Sequence, residues 1–506
     1  MITSASPRAT TIAIIGAGFC GTMTAVHLLR DATPDAPVSV TLLDRTGTWG
    51  RGIAYSASDA PMLLNVPARA MSAFPDAPGH FLAWLTRREP DAAPSTFARR
   101  STYGDYLVSL LGDAARDAAT RRAGTLQRVA AEAVDIQPSP TGAIVGLSAG
   151  GRIQADRVVL AVGNFPPSDP PLADRWFYRD PRYVGSPWAT AALTGLASDV
   201  PLLLLGTGLT MFDIVATLAD RGHDAPIHVL SRRGLIPHVH REPAIPCATP
   251  PPKVDVDDAG GVVGLMRRAR AAAQAAEAGG CDWRQVLDGL RPHLQSLWRS
   301  LPSDERRRFL RHARPYWEIH RHRLPPEVLD VFDAARRSGR VELHAGAVRG
   351  FAEPDGPASG MVDVTVGLRG GRGVRTIRVG RVINCTGPTS EYRKLEHPLI
   401  RGLLAAGRAS PDPLHLGLDT DEDGALLDAA GQPSPALFGI GPVRKGALWE
   451  TTAVPELREQ ARELARRLVQ PRPAAVAGTL ASADGDRALV GEVRLELTRR
   501  SRGTGS

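Results

Sequence analysis

The stretch TIAIIGAGFCGTMTAVHLLR, Thr11 to Arg30, decides the fold. Ile12 to Ile15 are apolar without alternation, the pattern of a short buried strand, and they run directly into Gly16-Ala-Gly18-Phe-Cys-Gly21 and an apolar-periodic helix. In such a turn Gly16 permits the tight bend, Gly18 lets a pyrophosphate approach the backbone, and Gly21 lets the helix pack closely on the strand. The helix N-terminus offers free N–H groups and the positive end of a dipole to a phosphate. A second strand, VSVTLLD, ends in Asp44, 23 residues past Gly21, about the spacing at which a carboxylate meets a ribose hydroxyl.

At 506 residues the chain is too long for a single core, so two or more domains are expected. Hydrophobic residues at 43% and charged residues at 23% fit an ordinary globular protein and exclude wholesale disorder. The net charge of +8 does not point to nucleic acid: lysine occurs only at 253, 394 and 445, the arginines are scattered outside Arg306 to Arg323, and aromatic residues make up only 5%. Anionic dinucleotides would benefit from the same positive field. Cys20, Cys247, Cys281 and Cys385 are far apart and match no metal or CxxC spacing, which suits a reduced, cytoplasmic protein. Neither a signal peptide nor a membrane span is expected.

Past Asp44 and Arg45, the glycine-rich loop RTGTWGRGIAYS stays near the first turn. Leu126 to Gly163 shows period-2 segments broken by Pro-Ser-Pro and Gly-Gly, a small antiparallel meander ending in the buried strand VVLAVG. The pattern then repeats. VPLLLLGTGLTMFDIVATLADRG, Val200 to Gly222, is a second strand, glycine turn and helix; PIHVLSRRG is its second strand; and Val341 to Pro388 is a second meander ending in VINCTG. The expected fold is therefore α/β with two Rossmann-like dinucleotide-binding domains, the second inserted into the first, of three-layer ββα type with antiparallel meanders and a helical insertion. The first domain spans residues 1–168 and resumes at 381–469. The second takes 195–253 and 338–380, the helical insertion 254–337, and a loosely attached tail 470–506. Amphipathic segments in the insertion suit either a packed cap or a substrate-shaping lid.

The two turns differ in one informative way. The first strand pair ends in Asp44, which would accept ribose hydroxyls and repel a 2′-phosphate. The second ends in Ser231-Arg232-Arg233, and paired guanidinium forks suit that phosphate. Gly206, Gly208 and Thr210 in the second turn therefore predict an NADPH site with Arg232 and Arg233, although a solvated loop is the alternative for the arginine pair. Met211 stands where the third glycine would be. Two dinucleotides in one chain imply electron transfer between them, which assigns FAD to Gly16, Gly18, Gly21, Asp44 and Arg45.

As a set, GAGFCG, GRGIAYS, LLNVPARAMSAFPD, YGDYL, LLGTGLTMFD and IGPVRKGALWETTAVPE resemble a bacterial family known as FAD/NAD(P)-binding proteins, among the flavoproteins with two dinucleotide-binding domains, over about Thr11 to Leu468. The segment NVPARAMSAFP is similar to flavin-containing and N-hydroxylating monooxygenases. That likeness implies a place for Asn65 at the flavin edge, where its amide would orient the nicotinamide or the oxygen-reacted flavin; a turn residue bonding its own backbone is the alternative. In Trp49-Gly50-Arg51-Gly52, Arg51 is placed to reach the FAD phosphates. The closing flavin contact of these proteins is commonly Gly-Asp. Here Gly441 is followed by Pro442, so backbone N–H groups and the helix beginning near Val454, capped by Thr451 or Thr452, would hold the ribityl chain and flavin carbonyl.

The resemblance implies an FAD-dependent, NADPH-linked enzyme that uses molecular oxygen on a small molecule, possibly at nitrogen. An NAD(P)H-linked flavin reductase without oxygen transfer, and a non-enzymatic redox sensor, remain alternatives. Disulfide reductase chemistry is excluded, since Tyr55 to Asn65 holds no cysteine. The linker FPPSDPPLADRWFYRDPRYVGSPW lacks the histidine expected of a Baeyer–Villiger enzyme. His238 and His240 lack a third ligand nearby in sequence, so no metal is expected. Oligomeric state is not set by the sequence.

Overall fold

The computed structural model describes residues 7–56, 61–241, 260–355 and 360–470. The expected tail from 471 onward and Cys247 lie outside the described residues.

The opening stretch forms β1 (Thr10–Ile15) and a helix over Phe19–Asp31, which returns the chain to β2 (Val38–Asp44). The two strands pair in parallel from Thr10 opposite Val38 to Ile15 opposite Leu43. Ile12 to Ile15 are all buried because both faces of this sheet are covered, which is why no alternation marks the strand. Next along the chain come β3 (Gly124–Ala130), a separate antiparallel sheet of β4 (Ala133–Ser139), β5 (Gly142–Leu147) and β6 (Arg152–Ala155), and β7 (Arg157–Leu160).

The sequence places the strand at Leu126 in the meander, but β3 joins the main sheet, parallel to β2. As the edge strand it has one covered side, so its alternation mimics an antiparallel strand. Ile12, Ile14, Val40 and Leu42 face a layer of helices that includes Phe19–Asp31, Arg100–Thr120 and Val454–Val469. Ala13, Ile15, Val158 and Leu160 face the meander. These are the three layers expected of the first domain.

The second sheet is built from β8 (Tyr183–Val184), β9 (Leu202–Leu205), β10 (Ile227–Ser231), β11 (Val341–Ala352), β12 (Val362–Leu368), β13 (Val374–Val379) and β14 (Arg381–Asn384). Its order is β13-β12-β11-β10-β9-β14-β8. The first sheet is completed late in the chain by β15 (Ala425–Leu427) and β16 (Pro433–Gly439), in the order β15-β16-β7-β1-β2-β3. Each sheet thus repeats one core order, β3-β2-β1-β7 in the first and β11-β10-β9-β14 in the second.

The repeat extends to the turns. Gly16 (φ 106°) and Gly206 (φ 105°) both adopt a conformation that suits glycine. A Cβ on Gly16 would overlap the Ala161 carbonyl after β7, and one on Gly206 the Cys385 carbonyl after β14.

Three boundaries differ from the sequence reading. β14 pairs with β9, so the limit at 380/381 falls inside the second sheet. β8 belongs to that sheet too, although it precedes residue 195. The last helix of the supposed insertion, Pro326–Arg337, is the crossover between β10 and β11. It buries Val328, Phe332 and Ala335 in the second core, with Phe332 4.6 Å from Phe212 between ring centroids. It follows the Arg-rich helices with little break in sequence, and only packing separates it from them.

The second meander also departs from expectation. The first half of β11 pairs with β10 up to Ala345 and its second half with β12 from Gly346 onward, with a register shift between Val348 and Gly350 inside that second pairing, so β11 to β13 extend the parallel sheet.

Cys20 and Cys385 are free and buried, and burial pushes the Cys20 thiol up to about 12. Cys281 is buried. No helix among the described residues is long and apolar enough to cross a membrane.

The two sheets are tied by one buried ion pair. Arg100, at the start of the Arg100–Thr120 helix, donates to Asp213 at 2.8 Å and to the Leu63 carbonyl at 3.0 Å. The two side chains are 13% and 7% exposed. Burial outweighs the arginine and raises the Asp213 carboxyl to about 6. Through the stranded charge, Arg100→Ala is expected to cost about 1.4 kcal/mol at pH 7, because a carboxyl that titrates at about 6 escapes any larger cost by taking up a proton. The folded carboxyl takes its proton at higher pH than the unfolded one, so the cost shrinks as pH falls through about 6. Urea unfolding at two pH values checks this, and a cost that does not change with pH would refute it.

Candidate active site

Two uncapped glycine turns, here called cradles, and one cavity make up the candidate site. At the first cradle the helix begins at Phe19 with Gly18 as its cap residue and no side chain bonding its first N–H groups. Those donors stay available to an anion. A Cβ on Gly21 would overlap the Gly16 carbonyl, whereas one on Gly18 would meet only the Gly52 Cα, at 3.8 Å. Gly21 therefore serves packing, and Gly18 keeps open the approach to the helix end. Asp44 closes the strand beside this turn. Its Oδ1 accepts from the Thr46 N–H at 2.8 Å and the Thr46 hydroxyl at 2.6 Å, and its Oδ2 lies 3.4 Å from the Ala17 nitrogen. The Trp49–Gly52 loop folds over the turn, with the Gly50 N–H donating to the Ala17 carbonyl at 3.0 Å.

The second cradle repeats the first. The Leu209–Asp220 helix is capped by Gly208 without a side-chain bond, and a Cβ on Gly208 would meet nothing within 4 Å. Ser231 stands where Asp44 does in the first, its hydroxyl 3.1 Å from that of Thr207 and accepting from the Gly234 N–H at 3.0 Å. Arg232 is exposed, and Arg233 lies over the Tyr316 ring at 5.9 Å. Thr210 is half-buried at the helix start, and Met211 is wholly buried in the second core.

The cavity, about 160 Å³, opens beside Asn65. One wall is the segment from Asn65 to Ala70, with Ala453 beside it. The facing wall comes from the helical insertion: the Trp283–Leu290 helix with its flanks, and Arg321 to Arg323 at the end of the Arg314–Arg321 helix. His240 joins the walls, its Nε2 2.9 Å from the Asn65 carbonyl oxygen and its ring against Phe97. Ala453 is the cap residue of the Val454–Val469 helix, which also lacks a side-chain cap.

Residues 13–165 match the family model described as FAD-NAD(P)-binding. The whole architecture aligns with the ornithine N-hydroxylase of Kutzneria sp. 744 at a TM-score of 0.61 and 15% identity, covering 91% of this chain and 99% of that one. The L-lysine 6-monooxygenase of Pseudomonas syringae aligns with the same values, and the ornithine hydroxylase of Pseudomonas aeruginosa with a TM-score of 0.59 over the same coverage. The fold is that of the flavoproteins with two dinucleotide-binding domains. No curated protein sequence matches the chain.

Within this flavoprotein fold several expected site residues are placed otherwise than the sequence suggests. Arg51 is paired with Asp105 on the Arg100–Thr120 helix and also reaches the Ser101 carbonyl. Its charge is therefore committed away from the cradle. Arg45 is exposed at the end of β2. Neither threonine caps the last helix: Thr452 is exposed, while the Thr451 hydroxyl is buried and donates to the Gly441 carbonyl at 2.9 Å. Gly441 (φ 76°) packs against Cys20, with half-buried Pro442 following, so this turn meets the first helix.

His238 and His240 part company, His238 meeting Trp283 edge-on and lying tilted against His320. Sequence reasoning missed the arginines of the cavity, which arrive from segments far apart in the chain. It also missed His228, Glu342 and His344, the one group among the described residues whose ligand atoms lie close enough together for a metal ion. Glu342 in that group is already bonded by both ends of the Arg375 fork.

Proposed function

We propose that the chain is an FAD-dependent, NADPH-linked monooxygenase acting on a small molecule, with nitrogen the favoured position of oxygenation. The observation that carries this reading is the pair of uncapped glycine turns with opposite strand ends, Asp44 in one and Ser231-Arg232-Arg233 in the other. Gly16, Gly18, Gly21 and Asp44 would hold the FAD pyrophosphate and ribose. Gly206, Gly208 and Thr210, with Arg232 and Arg233, would hold NADPH. Bound FAD supplies the two-electron chemistry that links NADPH to oxygen.

The protein's own part is positioning. Asn65 and the free N-terminus of the Val454–Val469 helix meet at the cavity, and that N-terminus suits a partly negative ring carbonyl. The helical insertion supplies one wall of the cavity, which supports its substrate-shaping role over that of a remote cap. The relatives in fold that hydroxylate ornithine and lysine support the monooxygenase reading.

Purified protein is expected to be yellow. NADPH should bleach it without oxygen, and admitted oxygen should restore the colour with consumption matched to oxygenated product. Colourless protein that gains no flavin on reconstitution would overturn the proposal, and reoxidation without product on any amine would turn it into a reductase. The double variant Arg232→Ala/Arg233→Ala is expected to raise KM for NADPH about tenfold to hundredfold through loss of charge-assisted phosphate contacts, leaving KM for NADH unchanged. Steady-state kinetics with both coenzymes reads this directly.

A further inference from the structure

We propose that His228, Glu342 and His344 bind one transition-metal dication, of which Zn2+ fits best, and that the ion clamps β10 to β11. The three residues lie outside the cavity lining, so the site stands apart from the reaction assigned above.

The register of the second sheet creates the site. Parallel pairing sets His228 on β10 directly beside Glu342 on β11, and Leu230 beside His344. Alternation sends Ile227, Val229 and Val341 into the core under the helices. His228, Leu230, Glu342 and His344 therefore share the other face, where Leu230 packs with residues of β12 and β13. Three donor atoms converge there. His228 Nδ1 lies 3.2 Å from His344 Nε2, and Glu342 Oε2 lies 3.4 Å from the first and 3.8 Å from the second.

These spacings select the ion. A point equidistant from three atoms so placed is about 2.0 Å from each, the length of a Zn–N or Zn–O bond. Donors about 2.1 Å from a metal stand about 3.4 Å apart at tetrahedral corners, but only about 3.0 Å apart at adjacent octahedral ones. The observed triangle fits the tetrahedron. No fourth His, Cys, Asp or Glu joins the group among the described residues, so water takes the remaining corner. Two imidazoles with one carboxylate favour zinc or a neighbouring transition ion over Mg2+ and Ca2+, which prefer oxygen ligands throughout.

The ligands are held ready. Both imidazoles are largely buried, and burial pushes each toward its neutral form, which carries the lone pair a metal needs. Arg375 grips Glu342 chiefly through Oε1, at 2.5 Å, and keeps the carboxylate charged, while its reach to Oε2 is 3.2 Å. Such an outer partner fixes the direction of a ligand, and an oxygen with two acceptor sites keeps one for the metal. The guanidinium also repels a dication, but it and Glu342 are each 45% exposed, so solvent screens that repulsion.

The test is calorimetric titration of tag-free, FAD-loaded protein, stripped with chelator and dialysed, with Zn2+ and separately with Mg2+ and Ca2+. One Zn2+ per chain is expected to bind with Kd below about 10 μM. Neither hard cation should bind at the concentration that saturates zinc. Glu342→Gln, at a half-exposed position that tolerates the change, should weaken zinc about a hundredfold or more, beyond the usual cost of losing an outer partner. His344→Ala should do the same where that variant folds. Saturating zinc should also raise the melting temperature of the wild type but not of Glu342→Gln, as a ligand of the folded state does.

Absence of one-to-one zinc binding with Kd below about 10 μM would overturn the proposal. So would zinc affinity unchanged by both substitutions, which would place the ion on other side chains. Binding of Mg2+ or Ca2+ in preference to zinc would equally overturn it.

Discussion

Replacing Gly18 by valine is expected to give a folded, colourless protein. Gly18 sits at φ −74° and ψ −165°, a conformation open to any residue, and a Cβ there would meet only the Gly52 Cα, at 3.8 Å. The unliganded fold therefore has room for a Cβ at this position. The branched side chain would occupy the approach to the uncapped N-terminus of the Phe19–Asp31 helix, where a pyrophosphate must come close to the backbone.

Flavin content below about a tenth of wild type is expected, each lost phosphate contact being worth about 1.5–3 kcal/mol. Melting should be compared between flavin-free samples, because bound FAD by itself raises the transition. Gly21→Val is the contrast. Its Cβ would overlap the Gly16 carbonyl, so that variant should fail to fold rather than fold empty. A yellow Gly18→Val protein with full flavin occupancy would sink the assignment of FAD to the first turn.

The matching change in the second turn separates the two roles. Gly208 (φ −78°) has nothing within 4 Å of a built Cβ, so Gly208→Val should fold, bind FAD and stay yellow. What it should lose is reduction by NADPH, slowed about a hundredfold or more in an anaerobic single-turnover experiment, while dithionite still bleaches the flavin. Wild-type reduction by NADPH in this variant would remove the coenzyme from the second turn. With the order reversed, flavin lost from Gly208→Val and kept in Gly18→Val, the two assignments would have to be exchanged.

Much of the scaffold was legible because its signals are local. The unalternating run Ile12 to Ile15, the spacing of Gly16, Gly18 and Gly21, and the acid at Asp44 each express a physical demand met within a few residues. The same demand reappears at Gly206 and Gly208. Errors arose where one local pattern serves two structures. The alternation of β3 marks an exposed edge of a parallel sheet and not a meander, and the Pro326–Arg337 helix looks like its insertion neighbours until its buried face meets Phe212. Arg51 carried a phosphate expectation because its partner Asp105 lies 54 residues away.

The sequence by itself determined two strand–glycine–helix units and the contrast of Asp44 with Arg232 and Arg233, since backbone sterics and the charge at a strand end need no distant partner. Only the tertiary structure decided the cavity. Asn65, His240, the Trp283–Leu290 helix, Arg321, Arg323 and Ala453 come from separate stretches, and no periodicity links them. Their meeting depends on how the helical insertion packs against the Asn65–Ala70 segment, and contacts between segments far apart in the chain leave no local pattern to read.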